Sequence, residues 1–256
     1  GVDGSSGNGW LQAMREDGDG TPYNMVLQPS GGRVGIGTSS PQALLDLKGS
    51  TDSYAGMAKI YLTDVNSNSA SRNWSIGNGG SAYGNFTIGV SNAKNGDPQA
   101  SGTHINPLVI TSEGIVTMPY QPAFCAYANT QNNMGINAWL QIAFANQQFD
   151  QNQDYASNTF VAPVTGKYQL QISVRLDNID TSTQYYQVRI RTSNRSYHSI
   201  CDFDGMSTDP SYWNFNNAVL ADMDANDTCV IEFLQAGGNN QTDINDESYF
   251  NGFLAC

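Results

Sequence analysis

Residues 158–174 read NTFVAPVTGKYQLQISV, and the fold turns on this stretch. Tyr168, Leu170, Ile172 and Val174 alternate with Gln169, Gln171 and Ser173, the period-two pattern of a strand with one buried and one polar face. Pro163 and Gly166, with Val164 and Thr165 between them, make the tight turn that admits this strand. The same alternation recurs at Val188 and Ile190, with Arg189 and Arg191 facing the other way. Residues 137–149 are the best candidate for a helix, yet Leu140, Ile142 and Phe144 alternate there with Gln141 and Ala143, again a strand pattern. Gly, Asn, Asp and Pro clusters separate these runs, so the sequence predicts an all-β protein.

Composition narrows the function classes. Charged residues make up 13% of the 256, about half the usual share. Polarity comes instead from Asn, Ser, Thr, Gln and 26 glycines, which suit turns and the wet faces of sheets. Thirteen Tyr, ten Phe and four Trp still supply a core. The net charge of −12 repels phosphate backbones, and no stretch interleaves Lys or Arg with aromatics, so nucleic acid is excluded as a partner. No apolar run approaches ~18 residues, so no membrane insertion is expected. The chain opens on Gly1 rather than Met, which leaves open what precedes it.

Pro119–Pro122 (MPYQP at 118–122) divides the chain. Strands before it are short and set in Gly/Asn/Ser-rich sequence; after it they lengthen, and all four cysteines appear. A further division falls near residues 48–52. Three segments are therefore expected: 1–50, 51–118 and 119–256.

Residues 31–47, GGRVGIGTSSPQALLDL, come close to two nucleotide-binding loops and match neither. A phosphate loop needs Lys after its last Gly, but Thr38 follows Gly37; a dinucleotide loop needs Gly where Ser40 stands. The reading is a strand ending in glycines, a Ser-Ser-Pro turn and a second short strand. This segment, with GDGTPYNMVLQPSGG leading into it, resembles the VGIGT element of bacteriophage tail fibres. PLVITSEGIVTMPYQPA at 107–123 resembles the linker that delivers such a fibre into its tip. The resemblance implies β-structure wound around a threefold axis.

From residue 122 a second resemblance takes over. Pro122, Phe124, Ala126 and Tyr127 open it; Phe160, Ala162, Pro163, Gly166 and Tyr168 form its centre; Phe250, Gly252, Phe253 and Leu254 close it. In this order the three landmarks resemble the globular head of the complement recognition subunit, a tumour-necrosis-factor-like jelly roll. The resemblance implies an antiparallel sandwich assembled as a homotrimer with apolar side chains on its axis. Residues 176–217 carry no signature of that family.

Candidate chemistry is sparse. Asp222, Asp224 and Asn226 have the odd-position spacing of a calcium loop, but Asp227 stands where Gly is needed and Phe233 where Glu is needed. Asp17 and Asp19 fail the same test at Pro22 and Gln28. A solvated acidic turn is the expected role of residues 222–227; no cofactor is required, and calcium is the cation that acidic loops leave room for. Cys125, Cys201, Cys229 and Cys256 have no metal or redox spacing, and reduced thiols are expected. The jelly-roll resemblance sets beside this a Cys125–Cys256 pairing, because its first and last strands are neighbours. His104 and His198 fall in no acid–base arrangement and are expected to be exposed polar residues. The candidate ligand surface is Tyr185, Tyr186 and the loop around Asp209, Tyr212 and Trp213, where aromatic rings stand beside turn-forming Asp-Pro-Ser. Packing of Tyr212 and Trp213 under the loop or in a trimer seam is the competing role.

The function expected is that of a non-enzymatic receptor-binding tip of a virion tail fibre. Its partners would be a host surface glycan or outer-membrane component and other tail proteins. A structural trimerisation and capping module is the alternative, and a fibre-borne glycan depolymerase a more distant one, requiring paired carboxylates in a groove.

Overall fold

A computed structural model describes residues 25–50 and 56–256, and every described element is a β-strand. The chain divides into two compact units at Thr117/Met118. Asp17 and Asp19 lie outside the described residues, as do residues 18–24 of the sequence leading into VGIGT.

In the N-terminal unit, β1 (Val34–Ile36) pairs in parallel with β2 (Leu45–Leu47). Residues 37–44 make the crossing, shorter than the dozen or more that a parallel connection normally takes. Gly37 makes this tightness feasible. Its φ is +78°, and a Cβ there would stand 2.3 Å from the Lys48 carbonyl. A meander of β3 (Lys59–Leu62), β4 (Trp74–Asn78), β5 (Phe86–Ser91), β6 (His104–Ile110) and β7 (Val116–Thr117) follows in sequential order. Among the described residues of this unit, Val90 and Val109 are the buried apolar side chains, while Asn73, Ser75, Thr87 and Ser91 are buried polar ones.

The C-terminal unit is a two-sheet sandwich. Its strands are β8 (Ala123–Tyr127), β9 (Leu140–Gln141), β10 (Asn146–Asp150), β11 (Tyr155–Ala156), β12 (Thr159–Val161) and β13 (Gly166–Asp177). Then come β14 (Thr183–Thr192), β15 (Ser196–Cys201), β16 (Tyr212–Met223), β17 (Thr228–Gly237), β18 (Asp243–Ile244) and β19 (Tyr249–Leu254). One sheet runs β10-β8-β19-β13-β16 and the other β11-β12-β17-β14-β15, with β18 added on β13 and β9 on β17. The chain crosses between sheets at β8/β9, β9/β10, β10/β11, β12/β13, β13/β14, β15/β16, β16/β17 and β17/β18, and the two strand orders are the jelly-roll arrangement expected from the sequence. The 158–174 stretch lies at its centre. Tyr168, Leu170, Ile172, Val174 and Leu176 are all fully buried, while β13 pairs along its whole length with β16.

Residues 137–149 depart from the single strand that their alternation predicts. Ile142 and Phe144 are buried, but β9 belongs to one sheet and β10 to the other. Between them the Ile142 amide still donates to the Ile231 carbonyl at 2.9 Å, and Ala143 turns to the Gln131 side chain. The apolar period marked what is buried; it could not mark where the chain changes sheets.

The two sheets meet over aromatic rings. Phe124 stacks on Tyr155 and on Phe160 with centroids 4.9 and 4.8 Å apart, and Phe250 meets it edge-on at 4.8 Å. These rings come from β8, β11, β12 and β19, so one cluster joins both sheets. The outward face of the first sheet is unusual. Three rows cross it in register: Leu220–Gln169–Phe253–Ala123, Ala218–Gln171–Asn251–Cys125–Phe149, and Asn216–Ser173–Tyr249–Tyr127. None of these residues is charged. Charge appears only beyond them, as the Lys167–Asp222 pair on one side and Arg175 with Asp177 and Glu247 on the other.

Truncating Phe124 removes ring contacts to both sheets. Phe124→Ala is expected to destabilise the sandwich by about 3–5 kcal/mol in denaturant unfolding. A cost below about 1 kcal/mol would show that the rings do not couple the sheets.

Candidate functional site

The chain enters the jelly roll at Pro122, whose carbonyl accepts the Leu254 amide, and Cys256 ends beside Lys167 at the same end. The turns 162–165 and 224–227 are also there. The loops 128–139, 178–182, 202–211 and 238–242 gather at the opposite end, where no chain connection crowds them. They enclose a cleft of about 490 Å³ lined by Asn133, Asn178, Asp209, Ser211, Asn240 and Gln241, with Ile179 and Pro210. Among its lining residues, Asp209 is the one carboxylate.

Carboxylates tie these loops together. Asp243 accepts the Asn133 amide at 2.6 Å and the Asn178 side chain at 2.7 Å. Both asparagines adopt left-handed backbone, which Asn tolerates better than most residues. Asp209 accepts the Thr181 amide at 2.9 Å and the Thr181 hydroxyl at 2.6 Å, and these bonds hold its carboxyl below the usual range. Beneath the cleft, Asp180 is buried. One of its oxygens accepts the amides of Asn239 and Asn240 at 2.5 and 2.7 Å; the other accepts the Ser182 amide and hydroxyl. Burial alone would raise this carboxyl, but the hydrogen bonds from Ser182, Asn240 and Asn239 outweigh it and hold it at about 2. Gln235, fully buried, donates to the Asn240 carbonyl at 2.6 Å and accepts the Thr242 amide at 3.2 Å. The 238–242 loop is therefore set from below by side chains, with Asn240 and Gln241 lining the cleft.

The five sequence-predicted ligand residues are not brought together. Asp209 lines the cleft. Tyr186 belongs to the core: its ring is fully buried, and its hydroxyl accepts the Asp180 amide at 2.9 Å and pairs with Thr242 Oγ1 at 3.0 Å. It braces the cleft and offers a ligand nothing. Tyr185, on the outward face of the second sheet, is half-buried opposite Ala236. Tyr212 and Trp213 start β16 and so are strand residues, paired with Asp177 and Leu176. Tyr212 is 65% exposed, with the Arg175 guanidinium 5.2 Å above its ring. Trp213 is 40% exposed and meets the buried Phe203 edge-on at 5.2 Å, so it packs in part. The sequence missed Asp180, Asp243 and the amide wall at 178 and 240–241; adjacent Asn-Asn-Gln at 239–241 was their one visible signal.

Residues 222–227 form the turn between β16 and β17: the Asp224 amide donates to Asp227, Asn226 has φ +74°, and Asp222 pairs with Lys167. Among the described residues no group of three His, Cys, Asp or Glu is gathered closely enough to hold a metal ion. All four cysteines are free thiols, with Cys125 buried and Cys256 exposed, so the Cys125–Cys256 pairing is not formed. Burial pushes the Cys125 and Cys229 thiols up, as expected of inert core residues. His198 is exposed, its ring edge-on to Trp139. His104, expected to be exposed in a loop, is instead half-buried at the start of β6, with Nδ1 2.7 Å from the Ala100 carbonyl.

No family model and no curated protein matches the chain. Among solved structures, the globular domain of zebrafish complement 1qA protein is similar at 15% identity, covering 53% of this chain and 98% of that one with a TM-score of 0.41. Murine APRIL at pH 8.0 is similar at 11% identity, covering 52% and 98%, with a TM-score of 0.38. The jelly roll is assigned here on strand order and register alone.

Asp180 gives the loop end a pH dependence. Its depressed pKa contributes stability that is present above the unfolded value of about 3.9. That contribution is lost as pH falls through about 2. Asp180→Asn is expected to lower the melting temperature near neutral pH, and the gap to the native chain to narrow between about pH 4 and about pH 2. A gap that does not change with pH would contradict this role.

Proposed function

We propose that the chain is the distal part of a trimeric bacteriophage tail fibre whose jelly-roll end attaches the virion to a neutral glycan on the host surface. The observation that carries this reading is the cleft at the end of the sandwich opposite the chain entry. Amides and a hydroxyl line it, the donors and acceptors suited to sugar hydroxyls, and the exposed Tyr212 ring stands nearby. Rigid strands with recognition confined to their connecting loops is the general arrangement of binding modules. The VGIGT resemblance supplies the fibre, and the β1–β2 turn is compatible with it. The reading is non-enzymatic; a glycan-cleaving alternative would ask for a second carboxylate facing Asp209 across the cleft.

Two features support assembly with further copies of the same chain. The uncharged outward face of the first sheet leaves Phe253 50% and Leu220 55% exposed on either side of Gln169, and exposed apolar side chains on an uncharged face are of the kind that marks an interface. Among its described residues the N-terminal unit has Val90 and Val109 as its buried apolar side chains, a burial that further copies of the chain would extend. The same two features also favour a second reading, a trimerisation and capping module without receptor specificity.

Attachment to host cells separates the two. Gln241→Ala changes the cleft lining and Tyr212→Ala the exposed ring next to Ser211, and both leave the core intact. Each is expected to weaken cell attachment by roughly tenfold or more at unchanged mass and melting temperature. Undiminished attachment by both folded variants would move recognition away from this end. Failure of the native protein to attach to any cell bearing surface polysaccharide would favour the capping module.

A further inference from the structure

The five-stranded sheet of the N-terminal unit carries a cleft of its own, of about 670 Å³. It is lined by Lys59 and Tyr61 of β3, Gly80 and Ser81 after β4, and Asp97 and Gln99 in the loop before β6. The Tyr61 ring is 46% exposed there. Its hydroxyl donates to Asp97 at 3.2 Å, and the same carboxylate oxygen accepts the Gln99 amide at 2.8 Å. Burial and the Asp97 charge push the Tyr61 phenol up to about 12, so it remains a neutral hydroxyl.

Behind this rim lies an unfilled demand for donors. His104 Nδ1 faces the Ala100 carbonyl at 2.7 Å and must donate to it, which makes Nε2 the acceptor. Asn106 gives its amide hydrogens to Nε2 at 3.3 Å and to the Gly80 carbonyl at 3.0 Å. Its Oδ1 is then buried with no partner. Asn106 Oδ1 and Gln99 Oε1 each lie 3.1 Å from where a Cβ on Gly80 would stand, and Thr87 Oγ1 lies 2.3 Å from it. With no side chain at Gly80, Thr87, Asn106 and Gln99 pack directly beneath the cleft floor there.

We infer that this cleft binds a neutral saccharide. An exposed aromatic ring suits the apolar face of a sugar, and the Ser81, Asp97 and Gln99 side chains of the lining suit its hydroxyls, with the unpartnered Asn106 Oδ1 just beneath Gly80. Lys59 and Asp97 bring opposite charges to the lining, so nothing selects a charged sugar. The volume falls in the range of small-molecule sites and accommodates a disaccharide. This site is separate from the jelly-roll cleft and does not rest on the reading of that cleft.

The test is saturation-transfer NMR of the full chain with maltose, cellobiose, lactose and N,N′-diacetylchitobiose. At least one is expected to bind with a millimolar Kd. Tyr61→Ala is expected to weaken it by roughly tenfold or more, and Tyr61→Phe, which keeps the ring, by no more than about threefold. Gln99→Ala, which leaves the ring in place, is expected to weaken binding as well and decides the matter if Tyr61→Ala does not fold. No binding of any of the four sugars at about 50 mM would overturn the inference, as would undiminished binding in a folded Tyr61→Ala or Gln99→Ala chain.

Discussion

The stack of Phe124 on Tyr155 and Phe160, closed by Phe250, is the contact on which the jelly roll depends. Its four rings come from the first strand, the last strand and two strands of the opposite sheet, so chain segments far apart in sequence become one body. Because the apolar surface is spent in this layer and along the inward face of β13, little remains for the loops. They are organised by hydrogen bonds instead, from Asp180, Asp209, Asp243 and Gln235. Such loops can present amides to solvent in fixed geometry without a hydrophobic anchor of their own.

The same shortage of apolar surface explains the contrast between the two units. The C-terminal unit closes a large aromatic core and still leaves an uncharged face on its outer side. The N-terminal unit has Val90 and Val109 as its buried apolar side chains among the described residues, with buried Ser and Thr beside them. Hydrogen bonds within a sheet do not by themselves offset the entropy of ordering it. In the proposed trimer a second and third copy would cover the uncharged sheet face, which is why assembly is central to the reading.

Much of the sandwich was legible because period-two alternation is a local signal. Tyr168 to Val174 gave the central strand and its buried face directly. The Tyr185–Tyr186 pair was legible too, had the parity been followed: neighbours on a strand point opposite ways, and Tyr186 shares its side with Val188 and Ile190. The Asp209–Trp213 stretch misled for a different reason. Asp-Pro-Ser marks a turn correctly, but β16 begins at Tyr212 because its partner β13 runs as far as Asp177. The Asp180 network was beyond local reading, since two of the three backbone amides it binds lie 59 and 60 residues away. The crossing at residues 142–145 was hidden likewise, because a change of sheet leaves the apolar alternation intact.

The mass of the native chain in solution tests the central claim most directly. Light scattering at micromolar concentration is expected to give three times the 27.6 kDa chain mass. Phe253→Asp, which sets a charge in the middle of the uncharged sheet face, is expected to shift that mass toward one chain. A native protein that scatters as a folded monomer would contradict the account, because its exposed, uncharged sheet face would then have to be stable in water alone.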